Sequence, residues 1–295
     1  NAGAPRFRPP PERVSPSASA RMLRPRSAQP PVMEMELVYS ALTDVGRVRT
    51  NNEDAVRVDV EHGIAVLADG MGGYNAGEVA SAMAVNLIAD ELGRWLHEAA
   101  TVATLRDVRR AMEICVDNAN RAIFEAANTH ADCAGMGTTL VMAVLLSSTL
   151  VIGHVGDSRA YRWRAGVLTL LTRDHSLLQE QIDIGLITPA EAAASGYRNL
   201  VTRALGVEDT VLLDVQEVGM APGDVLLLCS DGLNDMLLDA DIAEVLGNGE
   251  PPDAKTRRLV DLATQRGGRD NVSVIVVKAL EPPKKSGMMA KLLRK

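Results

Sequence analysis

Short runs of apolar residues recur along this chain, separated by glycine, asparagine, aspartate and serine, a pattern typical of β-strands bounded by turns. The runs are five to nine residues long, which is short for most helices. They predict strands at 36–42, 55–60, 63–68, 138–146, 149–155, 159–164, 167–171, 211–218, 224–229 and 271–278. The turns between the four central runs predict an antiparallel meander from 138 to 171.

Other segments place their apolar residues three or four positions apart, which is the spacing of one helix face. Val79, Met83 and Leu87 illustrate this spacing in the first such segment. The predicted helices cover 77–98, 105–129, 176–185, 189–194, 239–247 and 253–266. Because strands are grouped with strands and helices with paired helices, the pattern predicts an α+β layered sandwich and not a doubly wound βαβ sheet.

The two ends of the chain differ in composition from its centre. Residues 1–33 are rich in Pro, Arg and Ser, which predicts a disordered leader. The folded domain is expected to span 34–280, with a small separate module at about 174–205, and 281–295 form a basic tail. The net charge of −7 divides into +5 for the leader, +4 for the tail and −16 for the central domain.

These properties exclude several classes of protein. A strongly acidic domain argues against nucleic-acid binding. No stretch approaches ~20 apolar residues, so no transmembrane segment is predicted, and the leader lacks the apolar core of a signal peptide. Cys115, Cys133 and Cys229 share no metal-ligand spacing, which favours a reducing compartment. We therefore expect a cytoplasmic protein.

Three aspartates lie where predicted strands begin or end. Asp69 and Asp231 each follow an apolar run and precede glycine, and Asp270 lies just before the last strand. One Asp-Gly pair is most simply a turn. Three carboxylates at strand ends, with Glu53 and Asp54 one short strand upstream, instead favour a hard divalent cation such as Mg²⁺ or Mn²⁺.

Two further residues are candidates for the same site. Arg49 lies four residues before Glu53, where its guanidinium is suited to bidentate capture of a phosphate; the alternative is a surface ion pair with Glu53 or Asp54. Asp157 lies in the tight turn Gly156-Asp157-Ser158-Arg159. It is either an ordinary hairpin residue or an additional metal ligand.

The glycine-rich stretch that begins at Gly70 has two interpretations. Gly70-Met71-Gly72-Gly73, followed by Gly77, resembles a phosphate-binding loop at a helix start. It lacks the Gly-Lys-Ser/Thr ending of a nucleotide P-loop. We therefore expect these glycines to let the Gly70 carbonyl reach a metal. His154 and His175 are not spaced for zinc, and we expect both to be structural.

Taken in order, these motifs resemble those of the metal-dependent serine/threonine protein phosphatases of type 2C, in the compact bacterial branch. The matching segments are Arg49-Thr50-Asn51-Asn52-Glu53-Asp54, Ala68-Asp69-Gly70-Met71-Gly72-Gly73, Gly137-Thr138-Thr139, Val155-Gly156-Asp157-Ser158-Arg159-Ala160-Tyr161, Thr172-Arg173-Asp174-His175-Ser176, Leu200-Val201-Thr202-Arg203-Ala204-Leu205-Gly206, Ser230-Asp231-Gly232-Leu233 and Asp270-Asn271-Val272-Ser273. Each motif is weak alone, but eight in family order are specific.

The resemblance implies a four-layer α/β/β/α sandwich of two antiparallel sheets flanked by paired helices, with 174–205 as the variable flap. It also implies two Mn²⁺ or Mg²⁺ ions per site and a third, weaker one. By this resemblance, Asp69 would bridge both ions, the Gly70 carbonyl would bind one of them, and Asp231 and Asp270 would bind the other. Asp157 and Asp231 would hold the third ion. Glu53 and Asp54 would hold metal-bound waters, with Asp54 near the attacking one, and Arg49 would bind the substrate phosphate.

The implied activity is hydrolysis of phosphoserine and phosphothreonine on proteins by a water that two metals activate. A cognate serine/threonine kinase and its substrates are the expected partners, and a monomer is expected. Met71 stands where many eukaryotic relatives carry a histidine proposed as the general acid, and methionine cannot donate a proton. The alternatives are a catalytically silent phosphoprotein-binding module, which usually lacks a metal aspartate, and a phosphatase acting on an anti-sigma-factor antagonist, which often carries a sensor domain.

Overall fold

A computed structural model of the chain describes residues 35–73, 76–99, 102–195 and 200–280. The described residues belong to the unit Met33–Lys295. The predicted leader, 1–33, and the predicted tail, 281–295, lie outside the described residues.

The described residues form two antiparallel β-sheets. The first sheet has the strand order β1-β11-β10-β7-β8, and the second has the order β2-β3-β5-β6-β9, with β4 paired to β3. The strands are β1 (Leu37–Asp44), β2 (Asp54–Asp59), β3 (Ile64–Met71), β4 (Gly137–Thr138), β5 (Leu140–Leu146), β6 (Thr149–Val155), β7 (Arg159–Arg164), β8 (Val167–Leu170), β9 (Asp214–Gly219), β10 (Val225–Cys229) and β11 (Val272–Ala279).

Helices cover the outer face of each sheet. The described helices are α1 (Ala76–Ala99), α2 (Leu105–Thr129), α3 (Leu177–Asp183), α4 (Pro189–Ala194), α5 (Asp231–Asn234), α6 (Asp239–Gly247) and α7 (Pro252–Gln265), with a short 3₁₀ helix at Ala131–Cys133. α1 and α2 pack on the second sheet, and α6 and α7 pack on the first. None of these described helices is long and apolar enough to cross a membrane.

The apolar core between the sheets explains why the strands are so hydrophobic. Leu67 and Ile152 of the second sheet meet Leu228 and Ile275 of the first, and all four are fully buried. Residues on the opposite faces of the central strands pack against the helices, so these strands are buried on both faces. The predicted four-layer α/β/β/α sandwich is confirmed.

The predicted meander from 138 to 171 is wrong. β5 pairs with β6 in the second sheet, and β7 pairs with β8 in the first, so the chain crosses between sheets after Val155. Gly156 allows this crossing because its φ of 102° lies in the left-handed region. β6 is buried along almost its whole length and carries no polar alternation, so its sequence does not distinguish a hairpin from a crossing.

Three smaller differences complete the comparison. The run at 138–146 is divided at Thr139 into β4 and β5, β9 begins at Asp214 and not at 211, and the short helix α5 was not predicted. The segment predicted as a flap contains α3 and α4, whose first turns are capped by the side chains of Ser176 and Thr188.

Candidate metal centre

Strand pairing brings the first two acidic residues together. β2 and β3 are in register such that Asp54 lies opposite Asp69. Asp54 is only 8% exposed. Its Oδ2 accepts a hydrogen bond of 2.8 Å from the Ser230 hydroxyl, whereas its Oδ1 is buried without a hydrogen-bond partner among the described residues. A buried carboxylate oxygen that lacks a donor is suited to a cation, either directly or through water.

The backbone around Asp69 is fixed on both sides. Its carbonyl accepts hydrogen bonds of 2.8 Å from the Thr138 hydroxyl and the Thr139 amide, and its own amide donates to the Thr139 hydroxyl. The amide of the next residue, Gly70, donates to the Glu53 carbonyl at 3.0 Å. A Cβ at Gly70 would lie 2.1 Å from the Gly77 carbonyl, so the approach of α1 requires glycine here.

Asp231 and Asp270 reach the same place from the first sheet. Asp231 is the first residue of α5, directly after β10, and Asp270 lies two residues before β11. The Asn271 side chain connects this edge to the loop that precedes β2. Its Oδ1 accepts from the Glu53 amide at 2.7 Å, and its Nδ2 donates to the Val45 and Asn51 carbonyls.

Asp157 lies on the crossing between β6 and β7 and is buried. Its neighbours are acidic: the charges of Asp174 and Asp235 both act to raise its pKa. Asp174 is held by Arg159, whose guanidinium donates to both carboxylate oxygens, with a shortest distance of 2.6 Å. The turn therefore presents a buried carboxylate toward a second acidic group and is not an exposed hairpin.

The pKa values show that these groups form one electrostatic cluster, which we call the carboxylate centre: Asp54, Asp69, Asp157, Asp231 and Asp270. Burial and then the charges of the other four members hold the pKa of Asp69 well above its usual range. Burial, and then Asp157, Asp235, Asp270 and Asp54, do the same for Asp231. Burial is also the main cause that raises the pKa of Asp54 and of Asp157 to about 6.

Such a cluster fits hard divalent cations. Like charges that are buried together disfavour ionisation unless opposite charge compensates them, and oxygen ligands alone match Mn²⁺ or Mg²⁺. The orphaned Oδ1 of Asp54 and the mutual repulsion at Asp69 and Asp231 are both relieved by positive charge.

Comparison with known families agrees with this geometry. A sequence model of the family described as protein phosphatase 2C matches residues 46–266. The chain belongs to the protein phosphatase 2C family. The serine/threonine phosphatase stp of Listeria innocua is 39% identical over 238 residues, covering 80% of this chain and 93% of that protein. Protein phosphatase PhpP of Streptococcus pneumoniae is 37% identical over 242 residues, covering 81% and 96%.

Solved structures give the same result. The serine/threonine phosphatase of S. agalactiae superposes with a TM-score of 0.76 at 37% identity, covering 83% of this chain and 100% of that one. The catalytic domain of the phosphatase PstP, solved with two manganese ions, superposes with a TM-score of 0.73 at 37% identity, covering 84% and 100%. The chain is thus a protein-serine/threonine phosphatase that depends on Mn²⁺ or Mg²⁺, and the alternative of a catalytically silent module is set aside.

The ion pair of Arg49 in the phosphatase is not the one considered in the sequence. Arg49 donates to Asp270 Oδ2 at 2.7 Å and is not paired with Glu53 or Asp54 through a salt bridge. Its side chain is 51% exposed, so it remains accessible to a substrate.

The terminal methyl of Met71 lies near Gly137, where an added Cβ would be 2.9 Å away.

Several residues of this region were not singled out in the sequence as functional. The Ser230 hydroxyl donates to Asp54 and the Asn271 amide donates to Asp270, and Asp174 and Asp235 lie beside Asp157. Asp235 follows Asp231 by four residues, one helical turn, and that spacing was an available indication. Asp174 lies within one of the family motifs, Thr172–Ser176.

A cavity of about 320 Å³ opens beside the carboxylate centre of the phosphatase. Asp157, Asp174 and Asp231 line its polar side, and Leu178 and Ile182 of α3 line its apolar side. The cavity therefore joins the acidic cluster to the segment predicted as a flap.

Proposed function

We propose that the carboxylate centre holds two divalent cations and that these carry out the hydrolysis of phosphoserine and phosphothreonine. Asp69 and the Gly70 carbonyl, with Asp231 and Asp270, would be the ligands. The observation that carries this proposal is the convergence of five carboxylates, several with strongly raised pKa values, at one end of both sheets. Bound cations would lower the pKa of water toward neutrality and offset charge on the phosphoryl oxygens.

The protein groups would position the reactants. The Oδ1 atom of Asp54 is a buried acceptor without a partner among the described residues, so it would accept a hydrogen bond from a metal-bound water and orient it for attack. Glu53 would orient a second water from the edge of the site. Its pKa is raised, chiefly by burial, and its backbone is fixed by Asn271 and Gly70.

Arg49 would bind the substrate phosphate. Its guanidinium carries donors beyond the one bonded to Asp270, and its exposure leaves them accessible. Asp157 would hold a third, weaker cation together with Asp231. Among the neighbouring charges, that of Asp157 contributes most to raising the pKa of Asp231. The position of Met71 supplies no proton donor, so the proton for the leaving group would come from water.

The expected substrates are phosphoproteins, since the relative from Listeria is named a serine/threonine phosphatase and the one from Streptococcus a protein phosphatase. Such substrates require a serine/threonine kinase to produce them, and we propose that this phosphatase reverses a bacterial kinase of that class in the cytoplasm, acting as a monomer. The flap, 174–205, would contact the protein part of the substrate through the cavity beside Asp157.

The test is hydrolysis of a phosphothreonine peptide and of p-nitrophenyl phosphate by the wild type and by Asp231→Asn. We expect activity to require added Mn²⁺ or Mg²⁺, to be lost with chelator, and to fall by orders of magnitude in Asp231→Asn. Asp117→Asn, which changes an exposed carboxylate of α2, should match the wild type. Activity that survives exhaustive chelation would reject the proposal.

A further inference from the structure

A second group of metal-binding side chains lies at the opposite end of β2 from the carboxylate centre. It comprises Glu61 and His62, in the turn between β2 and β3, and His97, in the last turn of α1; we call it the histidine cluster. β2 runs from Asp54, in the carboxylate centre, to Asp59, next to the histidine cluster. Five residues of strand separate the two sites by about 16 Å.

The three side chains of the histidine cluster are close enough to share one ion. One ligand atom from each of Glu61, His62 and His97 lies within 4.8 Å of the other two. The two imidazole rings meet edge to face, with centroids 5.8 Å apart. Glu61 and His97 are exposed, so their side chains have room to rotate inward to the bond lengths of about 2.0–2.2 Å that zinc requires.

His62 is already oriented as metal-bound histidines are. Asp59 accepts two hydrogen bonds from it, at 3.1 Å from the backbone amide and at 2.7 Å from Nδ1. Nδ1 therefore carries the proton in the neutral ring, and Nε2 keeps a free lone pair. A carboxylate that fixes the tautomer of a histidine ligand in this way is the usual outer support of a zinc site.

The helix beside His62 is shaped to accommodate this pair. A Cβ at Gly93, in the interior of α1, would lie 3.1 Å from Asp59 Oδ2 and 3.7 Å from His62 Nδ1. Glycine within a helix is less favourable than alanine, so α1 gives up stability at the turn that faces the Asp59–His62 pair.

We propose that the histidine cluster is a zinc-class metal site, in which Glu61, His62 Nε2 and His97 supply three ligands and water completes the coordination. Two imidazoles and one carboxylate suit Zn²⁺ and its neighbours Co²⁺, Ni²⁺ and Cu²⁺, whereas Mg²⁺ and Mn²⁺ prefer oxygen. The bound ion would tie the β2–β3 turn to the end of α1. It would be chemically distinct from the ions of the carboxylate centre.

A similar trio, His154, His175 and Asp214, does not support the same inference. His154 Nε2 donates to the Arg173 carbonyl, and His175 Nδ1 accepts from the Gly156 amide. The guanidinium of Arg203 lies 2.9 Å from Asp214 and 3.2 Å from His175, where its charge would oppose a cation. These histidines attach the flap segment to the β6–β7 crossing, which agrees with their predicted structural role.

The test is calorimetric titration of Zn²⁺ into the full chain with saturating Mg²⁺, which occupies the carboxylate centre. We expect His97→Ala to bind one Zn²⁺ fewer than the wild type, while its Mg²⁺-supported hydrolysis of a phosphothreonine peptide is unchanged. Zn²⁺ should also raise the melting temperature of the wild type more than that of His97→Ala. His130→Ala, an exposed histidine outside the cluster, should titrate like the wild type.

A second variant tests the support that Asp59 gives to His62. Asp59→Asn keeps an acceptor for the His62 amide but presents an NH₂ group to Nδ1, which moves the ring proton to Nε2. We expect Zn²⁺ affinity to fall about 10–100-fold, as for other outer-sphere partners. Equal stoichiometry and affinity in the wild type and His97→Ala would overturn the proposal, whatever the phosphatase activity proves to be.

Discussion

Replacing Asp54 with asparagine should stabilise the metal-free phosphatase at neutral pH while abolishing its activity with Mn²⁺. Burial raises the pKa of Asp54 from its usual value of 3.8 to about 6. At 1.36 kcal/mol per unit, keeping this carboxylate ionised in the fold costs about 3 kcal/mol. The amide nitrogen that replaces the orphaned Oδ1 remains unpaired, which reduces the stability gained by about 1 kcal/mol. The net gain expected for Asp54→Asn at pH 7.5 is therefore about 2 kcal/mol.

The pH dependence follows from the direction of the shift. Because the folded state binds this proton more tightly than the unfolded state does, the wild type loses stability as the pH rises from about 4 to about 6. Above that window the full cost is present. At pH 4 most of this cost is gone. The advantage of Asp54→Asn should thus disappear at pH 4, since the folded-state carboxyl of the wild type is then largely neutral and no buried charge has to be maintained.

Urea unfolding followed by circular dichroism, with chelator at pH 7.5 and at pH 4, measures this difference. Asp117→Asn, the exposed carboxylate of α2, is the matched control and should change the free energy of unfolding by less than about 0.5 kcal/mol. The burial cost assigned to Asp54 is wrong if Asp54→Asn is less stable than the wild type at pH 7.5. It is also wrong if the difference in free energy of unfolding between the two proteins is the same at both pH values.

Two predictions concern the roles proposed for other site residues. Arg49→Ala should raise the KM for a phosphopeptide by about 10–100-fold, because one or two charge-assisted hydrogen bonds are lost, while Mn²⁺ affinity changes little. Arg49→Lys should recover only part of the substrate affinity, because lysine cannot bind bidentately. Unchanged KM and kcat would leave Arg49 as the partner of Asp270 alone. Asp157→Ala should retain two bound Mn²⁺ ions in a metal-binding titration yet turn over more slowly, and a wild-type rate would mean that Asp157 only shapes the β6–β7 crossing.

The sequence predicted the elements of this fold better than their connections. The predicted helix at 105–129 coincides with α2, and the strand at 149–155 coincides with β6. Apolar spacing is a local property, so it identifies such elements directly. Which sheet a strand joins depends on long-range pairing, and the mostly apolar sequence of β6 does not indicate that the chain crosses between sheets at Gly156.

For the candidate site, too, the sequence indicated local features but not long-range contacts. Asp69, Asp231 and Asp270 were identifiable because each flanks a buried strand, and the family motifs supplied their expected roles. The partner of Arg49 was not identifiable, because Asp270 is 221 residues away in sequence. Nor could the pKa of Asp54 be anticipated, since it arises chiefly from burial in the folded chain, which the local sequence does not show.

The hydrogen bonds at Ser230 explain how the carboxylate centre connects to the fold as a whole. Its hydroxyl donates to Asp54 on β2 at 2.8 Å and accepts from the Ser273 amide on β11 at 3.0 Å, so it joins the two sheets. Asn271 makes a second such connection, to the Glu53 amide. The carboxylates that repel one another come from both sheets, and at this end the sheets are held together by a few polar contacts. Positive charge at the centre would stabilise the pairing of the sheets as well as the substrate site, because the same repulsion opposes both.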